Sequence, residues 1–220
     1  MFEKLAEFMP FMLEGSVMTL KLFVLTLALS LPLGLPFALG SNSRILPIRF
    51  LCKTYVWIFR GTPLLLQLFF FYFFFPLVLG LQMNVFATVV LTYVLNYAAY
   101  FAEIYRGGIN SIDKGQYEAA HALGLTRRQT MADIILPQTM KAILPPVVNE
   151  AITLVKDTAL ASTLPIIELM KATNSAVNRM TDMTPFFYAA LIYLLMTFVL
   201  TLAASRLEKY FSRYDAKEEW

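Results

Sequence analysis

Polar side chains recur every three or four residues in two otherwise apolar stretches of the chain. The first stretch carries Tyr93, Asn96, Tyr97, Tyr100 and Glu103, and the second carries Glu150, Thr153 and Asp157, with Asn149 beside them. Residues three and four apart share one face of an α-helix, so each set forms a polar stripe along a helix. Two facing stripes of hydroxyl, amide and carboxylate groups suit the binding and passage of a polar solute. We assign no catalytic residue and expect the chain to do no covalent chemistry.

The carboxylate of Glu150 is the leading candidate for a charged contact with that solute. We place it near the middle of a membrane span, where an unpaired carboxylate is costly, so it needs a substrate ammonium group or a protein cation such as Arg60. Arg60 itself either holds a substrate carboxylate or is a structural partner. Glu103 either contacts substrate or pairs with Arg106, and Asp157 either contacts substrate or lies at the outer interface. The predicted substrate-binding residues are Arg60, Asn96, Tyr97, Tyr100, Glu103, Asn149, Glu150, Thr153 and Asp157.

The elements that must position these stripes are membrane spans. Of the 220 residues, 58% are hydrophobic and 15% are charged, whereas a soluble domain has about 25% charged residues. The chain is therefore predicted to be an all-α, polytopic membrane protein with a single transmembrane domain. Because a span needs about 20 residues, the candidate spans are 15–40, 58–77, 84–106, 140–163 and 183–205. The fourth is the weakest of them, and the residues alone do not prove a count of five.

Some of these segments have features that are unusual for a simple span. Residues 1–14 are expected to form an amphipathic helix at the interface, and Pro32 and Pro36 should kink the first span or end it early. The fourth span contains charged residues, which are rare within spans and usually line an interior or a water-filled cavity. These residues are Lys141, Glu150, Lys156 and Asp157. The segment from 162 to 182 is predicted to be a loop with a short helix.

The distribution of basic residues predicts the orientation, because cytoplasmic loops are enriched in Lys and Arg. With five spans and the N-terminus outside, most of the cations fall on the inner side and only Lys4, Lys156, Lys171 and Arg179 fall on the outer side. The C-terminus is then cytoplasmic. The inner residues are Arg44, Arg49, Lys53, Arg106, Lys114, Arg127, Arg128, Lys141, Arg206, Lys209, Arg213 and Lys217.

The longest polar interval, residues 113–137, lies between the third and fourth spans and is predicted to hold two short helices. An oxygen-bearing cap followed three residues later by glutamine occurs twice, at Asp113 and Gln116 and again at Thr126 and Gln129. Gly124 is placed to end the first helix with a positive φ, and Pro137 to end the second. Two short helices that meet at a glycine form a compact unit suited to docking. We call residues 113–137 the coupling loop.

The coupling loop carries a spaced motif: Glu118-Ala119-Ala120, three residues, Gly124, nine residues, Ile134, one residue, then Leu136-Pro137. This spacing resembles the signature of binding-protein-dependent ABC-transporter permeases, and specifically their polar amino-acid branch. The resemblance implies that the loop inserts into an ATPase subunit. The small side chains of Ala119 and Ala120 would then allow close approach to a groove, and Glu118 would offer a charge to its rim.

The resemblance continues over much of residues 55–165, in stretches such as FRGTPLLLQLFF, YFAEIYRGGINSI and LPPVVNEAITLVKDTALAS. It implies five spans, the number common in the amino-acid branch. It also implies a core of two permease chains, a homodimer or a heterodimer, with two ATPase subunits inside and a substrate-binding protein outside an inner membrane. The chain has no G-x-x-x-x-G-K-[ST] phosphate loop. We therefore expect no cofactor or metal in this chain, with ATP and Mg on the partner ATPase.

Together these features predict the transmembrane subunit of an ATP-driven amino-acid importer. The surplus of carboxylates in the predicted spans favours a basic substrate such as arginine, lysine or histidine, and glutamine stays open. The alternative is a secondary transporter that uses an ion gradient through Glu150; such transporters often show inverted repeats, and none is evident. The segment LGLTRRQT also resembles the turn of a DNA-binding helix-turn-helix. A third helix with its own core is missing, so we expect no nucleic acid partner.

Overall fold

The computed structural model describes residues 2–211 and places the side chains of residues 7–210. Within that part all regular structure is helical, which confirms the predicted fold class. The helices are α1 (Phe2–Ser41), α2 (Leu46–Gly61), α3 (Leu64–Val78), α4 (Val85–Asn110), α5 (Lys114–Ala122), α6 (Arg127–Gln129), α7 (Leu136–Asp157), α8 (Leu169–Met180) and α9 (Thr184–Phe211). A π-helical segment, Thr130–Ile135, joins α6 to α7, and a 3₁₀ helix, Thr158–Thr163, follows α7. Of the basic residues used for topology, Arg213, Lys217 and the side chain of Lys4 lie outside the described part.

Three of the described helical segments are long and apolar enough to cross a membrane: Glu7–Ser41, Val85–Asn110 and Thr184–Tyr210. The consecutive helices α2 and α3 would form a fourth span if they are taken together, although they are bent by 108°. The helix α7, which covers most of the predicted span 140–163, is not among them, since its charged residues lower its hydropathy. By length and composition the described residues therefore hold three or four spans, and the count of five stays a prediction.

The first helix is longer and more continuous than the sequence predicted. The expected interfacial segment, 1–14, is part of the same helix as the first span from residue 2 onward. Of the two outcomes expected at Pro32 and Pro36, a kink or an early end, the early end is excluded, because α1 continues through both prolines to Ser41. Close packing accompanies this continuity: a Cβ added to Gly34 would lie only 2.9 Å from the Cβ of Phe101 on α4.

The predicted second span, 58–77, is divided into two helices by a break between Gly61 and Leu64. The residue before a proline favours an extended backbone, and Thr62, which precedes Pro63, has φ −117° and ψ 145°. The break leaves carbonyl groups without helical partners, and side chains supply the missing donors. The Thr62 hydroxyl donates to the Ile58 carbonyl at 2.8 Å, and two side-chain amides reach the Phe59 carbonyl, as described below.

The helix α4 is the central element of the fold. It contacts α1, α2, α3 and α7, and its side chains Tyr93, Tyr97 and Phe101 are almost completely buried. Leu22 of α1 and Leu154 of α7 belong to the same apolar cluster. The polar stripe predicted on this helix therefore faces other helices of the protein and not lipid.

A buried carboxylate joins the segment after α7 to the first and last helices. Glu168, fully buried, caps α8 by accepting hydrogen bonds from the backbone N–H groups of Met170 at 2.8 Å and Lys171 at 2.6 Å. It also accepts from the Tyr193 hydroxyl on α9 at 3.2 Å and from the Thr19 hydroxyl on α1 at 3.5 Å. Every polar contact of this carboxylate is thus a donor that favours its charged form.

Replacing Glu168 with alanine is expected to destabilise the fold. The substitution removes the acceptor of two N–H groups and two hydroxyl groups that are partly or fully buried. A loss of this kind lowers the free energy of unfolding by about 3 kcal/mol. Denaturant unfolding of the purified chain in bicelles measures the change. Glu14→Ala removes an exposed carboxylate from α1 and serves as the control. Equal stability of the two variants would contradict the anchoring role of Glu168.

Candidate functional site

The two predicted polar stripes meet at a cavity of about 440 Å³ next to the break between α2 and α3. The break supplies one wall, α4 a second and α7 a third. We call this space the carboxylate cavity. Seven of the nine predicted substrate-binding residues line it, namely Arg60, Asn96, Tyr97, Tyr100, Glu150, Thr153 and Asp157. The fold thus brings together predicted side chains from three helices that are distant in sequence.

Asp157 lies at the end of α7 and is held by two tyrosines of α4. The Tyr97 hydroxyl donates to its carboxylate at 2.8 Å, and the Tyr93 hydroxyl donates to its backbone carbonyl at 2.7 Å. These bonds fix the end of α7 against the central helix. One carboxylate oxygen of Asp157 has no hydrogen bond within the described residues and is available to a ligand in the cavity.

Glu150 lies two helical turns before Asp157 on the same face of α7, a separation of about 10 Å along the axis. Its side chain is half-buried, and no described residue forms an ion pair or a hydrogen bond with its carboxylate. Arg60, the cation that the sequence suggested as its partner, forms its ion pair with Glu103, at 3.7 Å. The Glu150 carboxylate therefore faces the cavity with its charge uncompensated by a direct contact.

Asn96 has a different environment from the other cavity residues. Its amide nitrogen donates to the Phe59 carbonyl at 3.1 Å and to the Gln67 side-chain oxygen at 3.0 Å. Gln67 in turn donates to the Phe59 carbonyl at 2.9 Å and to the Thr62 hydroxyl at 2.8 Å. Both N–H groups of Asn96 therefore donate to acceptors beside the break between α2 and α3. This favours a structural role for Asn96 over contact with substrate. Gln67 is not among the residues predicted for the site, although a glutamine within an apolar run is a signal for such a partner.

Two predicted substrate-binding residues lie outside the carboxylate cavity. Asn149 is exposed on α7 and does not line it. Glu103 lies further along α4, where it pairs with Arg106, whose Nε donates to its carboxylate at 2.9 Å. This is the pairing that the sequence left open for Glu103. The Arg60 guanidinium also lies over the Tyr100 ring, 5.4 Å from its centre, a cation–π contact that fixes Arg60 at the edge of the cavity.

A second cavity of about 490 Å³ adjoins the first, and we call it the inner pocket. It shares Arg60, Gly61 and Tyr100 with the carboxylate cavity. Its remaining charged lining residues are Lys53, Glu103 and Arg106. The two cavities therefore differ in charge, because the first has two carboxylates and one cation and the second has three cations and one carboxylate.

The coupling loop has most of the predicted local structure. Asp113 caps α5 by accepting from the Gly115 N–H at 2.6 Å, and Gly124 has φ +73°, so both predictions are confirmed. The capping box of Thr126 and Gln129 is also present in full. The first cap lacks the second half of the box, because the Gln116 side chain instead accepts a hydrogen bond from Gln138 at 3.2 Å.

The prediction that Pro137 ends the second helix was wrong. The chain is continuously helical from Arg127 to Asp157, with the π-helical segment in between. Pro137 stands in the first turn of α7, where the missing N–H of proline is tolerated. The coupling loop is therefore joined to the carboxylate cavity by one helical path.

The motif residues of the coupling loop point in different directions. Glu118 and Ala119 are exposed, as is Pro137, whereas Ala120 is 1% exposed. The small size of Ala120 therefore serves packing within the loop, and only Ala119 is free for close approach by another chain. Leu123, at the end of α5, is 78% exposed and was not singled out by the sequence. An exposed leucine beside Glu118 and Ala119 gives the loop an apolar contact surface.

Comparison with known proteins gives one consistent result. Residues 30–213 match the family described as binding-protein-dependent transport system inner membrane component. A putative glutamine transport system permease protein of Rickettsia felis is 38% identical over 213 residues, covering 95% of this chain and 98% of the relative. An arginine transport system permease protein of Bacillus subtilis is 40% identical over 201 residues, covering 91% of this chain and 92% of that relative. A crystal structure of an amino acid ABC transporter with histidines is 34% identical, covers 96% of this chain and 98% of that chain, and has a TM-score of 0.88.

Proposed function

Because the chain belongs to the family of binding-protein-dependent transport system inner membrane components, we propose that it moves a basic L-amino acid into the cytoplasm. The chain is the permease subunit of an amino-acid ABC importer and a multi-pass protein of the inner membrane. It is not catalytic, and the ATPase of the system is a separate chain. A binding protein completes such systems.

The observation that carries the choice of a basic substrate is the state of Glu150. Its carboxylate faces the carboxylate cavity, is half-buried, and has no ion pair or hydrogen bond with any described residue. Asp157 adds a second carboxylate to the same cavity. A ligand with a cationic side chain would supply the missing counter-charge, and Arg60 at the cavity edge would receive the ligand carboxylate. The relative named for arginine is consistent with this choice, and the relative named for glutamine supplies the competing substrate.

Transport in this proposal is coupled to ATP hydrolysis through the coupling loop. Glu118, Ala119 and Leu123 would contact the ATPase, with ATP and Mg bound on that partner. Movement of the loop would reach Glu150 and Asp157 along the continuous helical path that begins at Arg127.

The working unit would contain two permease chains, this one and a second copy or a paralogue, with two ATPase subunits. The N-terminus would lie outside and the C-terminus inside, with five spans. We do not retain a secondary transporter driven through Glu150, since the family depends on a separate ATPase.

Uptake into vesicles tests the proposal. The permease is reconstituted with its ATPase and binding protein, ATP is enclosed, and the uptake of labelled arginine, lysine, histidine and glutamine is measured. We expect ATP-dependent uptake of at least one basic amino acid at a rate above that of glutamine. Faster uptake of glutamine would contradict the basic substrate, and uptake that needs no ATP would contradict the coupling.

A further inference from the structure

The carboxylate cavity and the inner pocket lie in sequence along α4. Tyr97 lines the first, Tyr100 lines both, and Glu103 and Arg106 line the second. From Tyr97 to Glu103 the helix rises by about 9 Å, towards its end at Asn110. Because α4 leads into the coupling loop, the inner pocket lies on the cytoplasmic side of the cavity in the proposed orientation. A solute that leaves the carboxylate cavity for the cytoplasm along α4 therefore passes the inner pocket.

The inner pocket has more positive than negative charge. Glu103 is its one acidic lining residue, and its carboxylate is already paired with Arg106 and Arg60. Lys53 is exposed to the pocket and forms no ion pair with any described residue. Cations at the edge of a membrane protein's interior need either hydration by water or an anion as counter-charge. The pocket is therefore matched to an anionic group.

We propose that the inner pocket is a release site, which binds the carboxylate of the amino acid after its cationic end has left Glu150 and Asp157. This inference rests on the proposed function. Arg60 belongs to both cavities, so it can keep contact with the carboxylate while the rest of the molecule moves from one cavity to the next. Lys53 then provides the second cationic contact, and the exposed ring of Trp57 covers the aliphatic part.

A release site of this kind also binds amino acid from the cytoplasm. Accumulated product then occupies the inner pocket and slows further import. The inhibition requires a free carboxylate, because that group contacts Lys53 and Arg60. The amide of the same amino acid retains the cationic groups but lacks the carboxylate, so it can still meet Glu150 and Asp157 but gains nothing from the inner pocket.

Vesicles with the complete transporter test this inference. They are loaded with ATP and with increasing concentrations of arginine or argininamide, and the initial rate of uptake of labelled arginine is measured. If glutamine proves to be the substrate, glutamine and its α-carboxamide are used. We expect the amino acid to inhibit at least tenfold more strongly than the amide, which lacks the contact with the inner pocket. Lys53→Gln is expected to raise the half-inhibiting internal concentration about tenfold, the effect of losing one hydrogen bond to a charged group.

The matched control is Arg49→Gln, which removes a cation one turn earlier on α2 at a position outside the inner pocket. Equal inhibition by the amino acid and its amide, or equal effects of the two substitutions, would overturn the release site while leaving the importer intact.

An inner-leaflet lipid is the other source of an anion. If uptake in neutral lipid rises on addition of phosphatidylglycerol, and Lys53→Gln removes this rise without affecting product inhibition, the pocket is a lipid site and the proposal is wrong. Absence of ATP-dependent uptake for every amino acid would overturn the proposed function itself.

Discussion

Replacing Glu150 with glutamine is expected to lower kcat/KM for the uptake of a basic amino acid about a hundredfold. The substitution keeps the size of the side chain but removes a charge that forms no ion pair or hydrogen bond with any described residue. Loss of one partner from a buried charge pair costs about 2–5 kcal/mol, and a hundredfold change is about 2.7 kcal/mol. ATP-dependent uptake of labelled arginine by reconstituted vesicles measures the effect. Uptake of glutamine should fall much less, so that the ratio of the two rates shifts towards glutamine.

Glu14→Gln is the matched control for this substitution, because Glu14 is an exposed carboxylate on α1. It should leave both uptake rates unchanged. Binding of the ATPase to the Glu150→Gln variant should also be normal, since Glu150 lines the carboxylate cavity and is not part of the coupling loop. If arginine and glutamine uptake fall equally while the ATPase remains bound, Glu150 has a structural role and does not contact the cationic group of the substrate.

Replacing Leu123 with aspartate is expected to separate the permease from its ATPase. Leu123 is exposed beside Glu118 and Ala119, and burying a leucine side chain in an interface contributes about 2 kcal/mol. The substitution removes that contribution and adds a charge that would be desolvated. We expect the affinity for the ATPase to fall at least tenfold, with ATP-dependent uptake falling in parallel. Copurification of the ATPase with a tagged permease from detergent measures the loss.

Leu81→Asp is the control for this second substitution. Leu81 is also exposed, at 53%, but lies in the connection between α3 and α4, which the proposed orientation puts on the opposite side of the membrane. The control should keep its ATPase, and both variants should unfold at the same denaturant concentration as the parent chain. Normal copurification of the Leu123→Asp variant would mean that the end of α5 is not part of the ATPase contact.

The helices could be predicted from sequence where hydropathy changes sharply. The predicted spans 84–106 and 183–205 correspond to Val85–Asn110 and Thr184–Phe211. Asp182 and Arg206 flank the second of these runs directly. The break near Pro63 was not predicted, although Arg60, Gly61 and Thr62 interrupt the apolar run there. The restriction that Pro63 places on Thr62 was the available signal, but a hydropathy pattern reports polarity and not backbone direction.

The candidate site was predictable in composition but not in arrangement. Spacing alone identified Tyr97 and Glu103 as residues of one helical face. It could not show that Tyr97 meets Asp157 whereas Glu103 faces the inner pocket, because that division depends on where α2 ends against α4. Glu168 was missed for a similar reason: its segment is polar enough to resemble a loop, and its burial comes from Thr19 and Tyr193, which are distant in sequence.

The composition of α7 has a consequence for the synthesis of the protein. A charged residue at the centre of a span costs about 3 kcal/mol during insertion, and α7 carries four charged residues as well as Pro145 and Pro146. The next long apolar helix, Thr184–Tyr210, has a mean hydropathy of 2.2 and can enter lipid unaided. We therefore expect α7 to leave the translocation channel only together with α9, onto an α4 that is already in place. A nascent chain that stopped before α9 would hold Glu150 and Asp157 outside the bilayer.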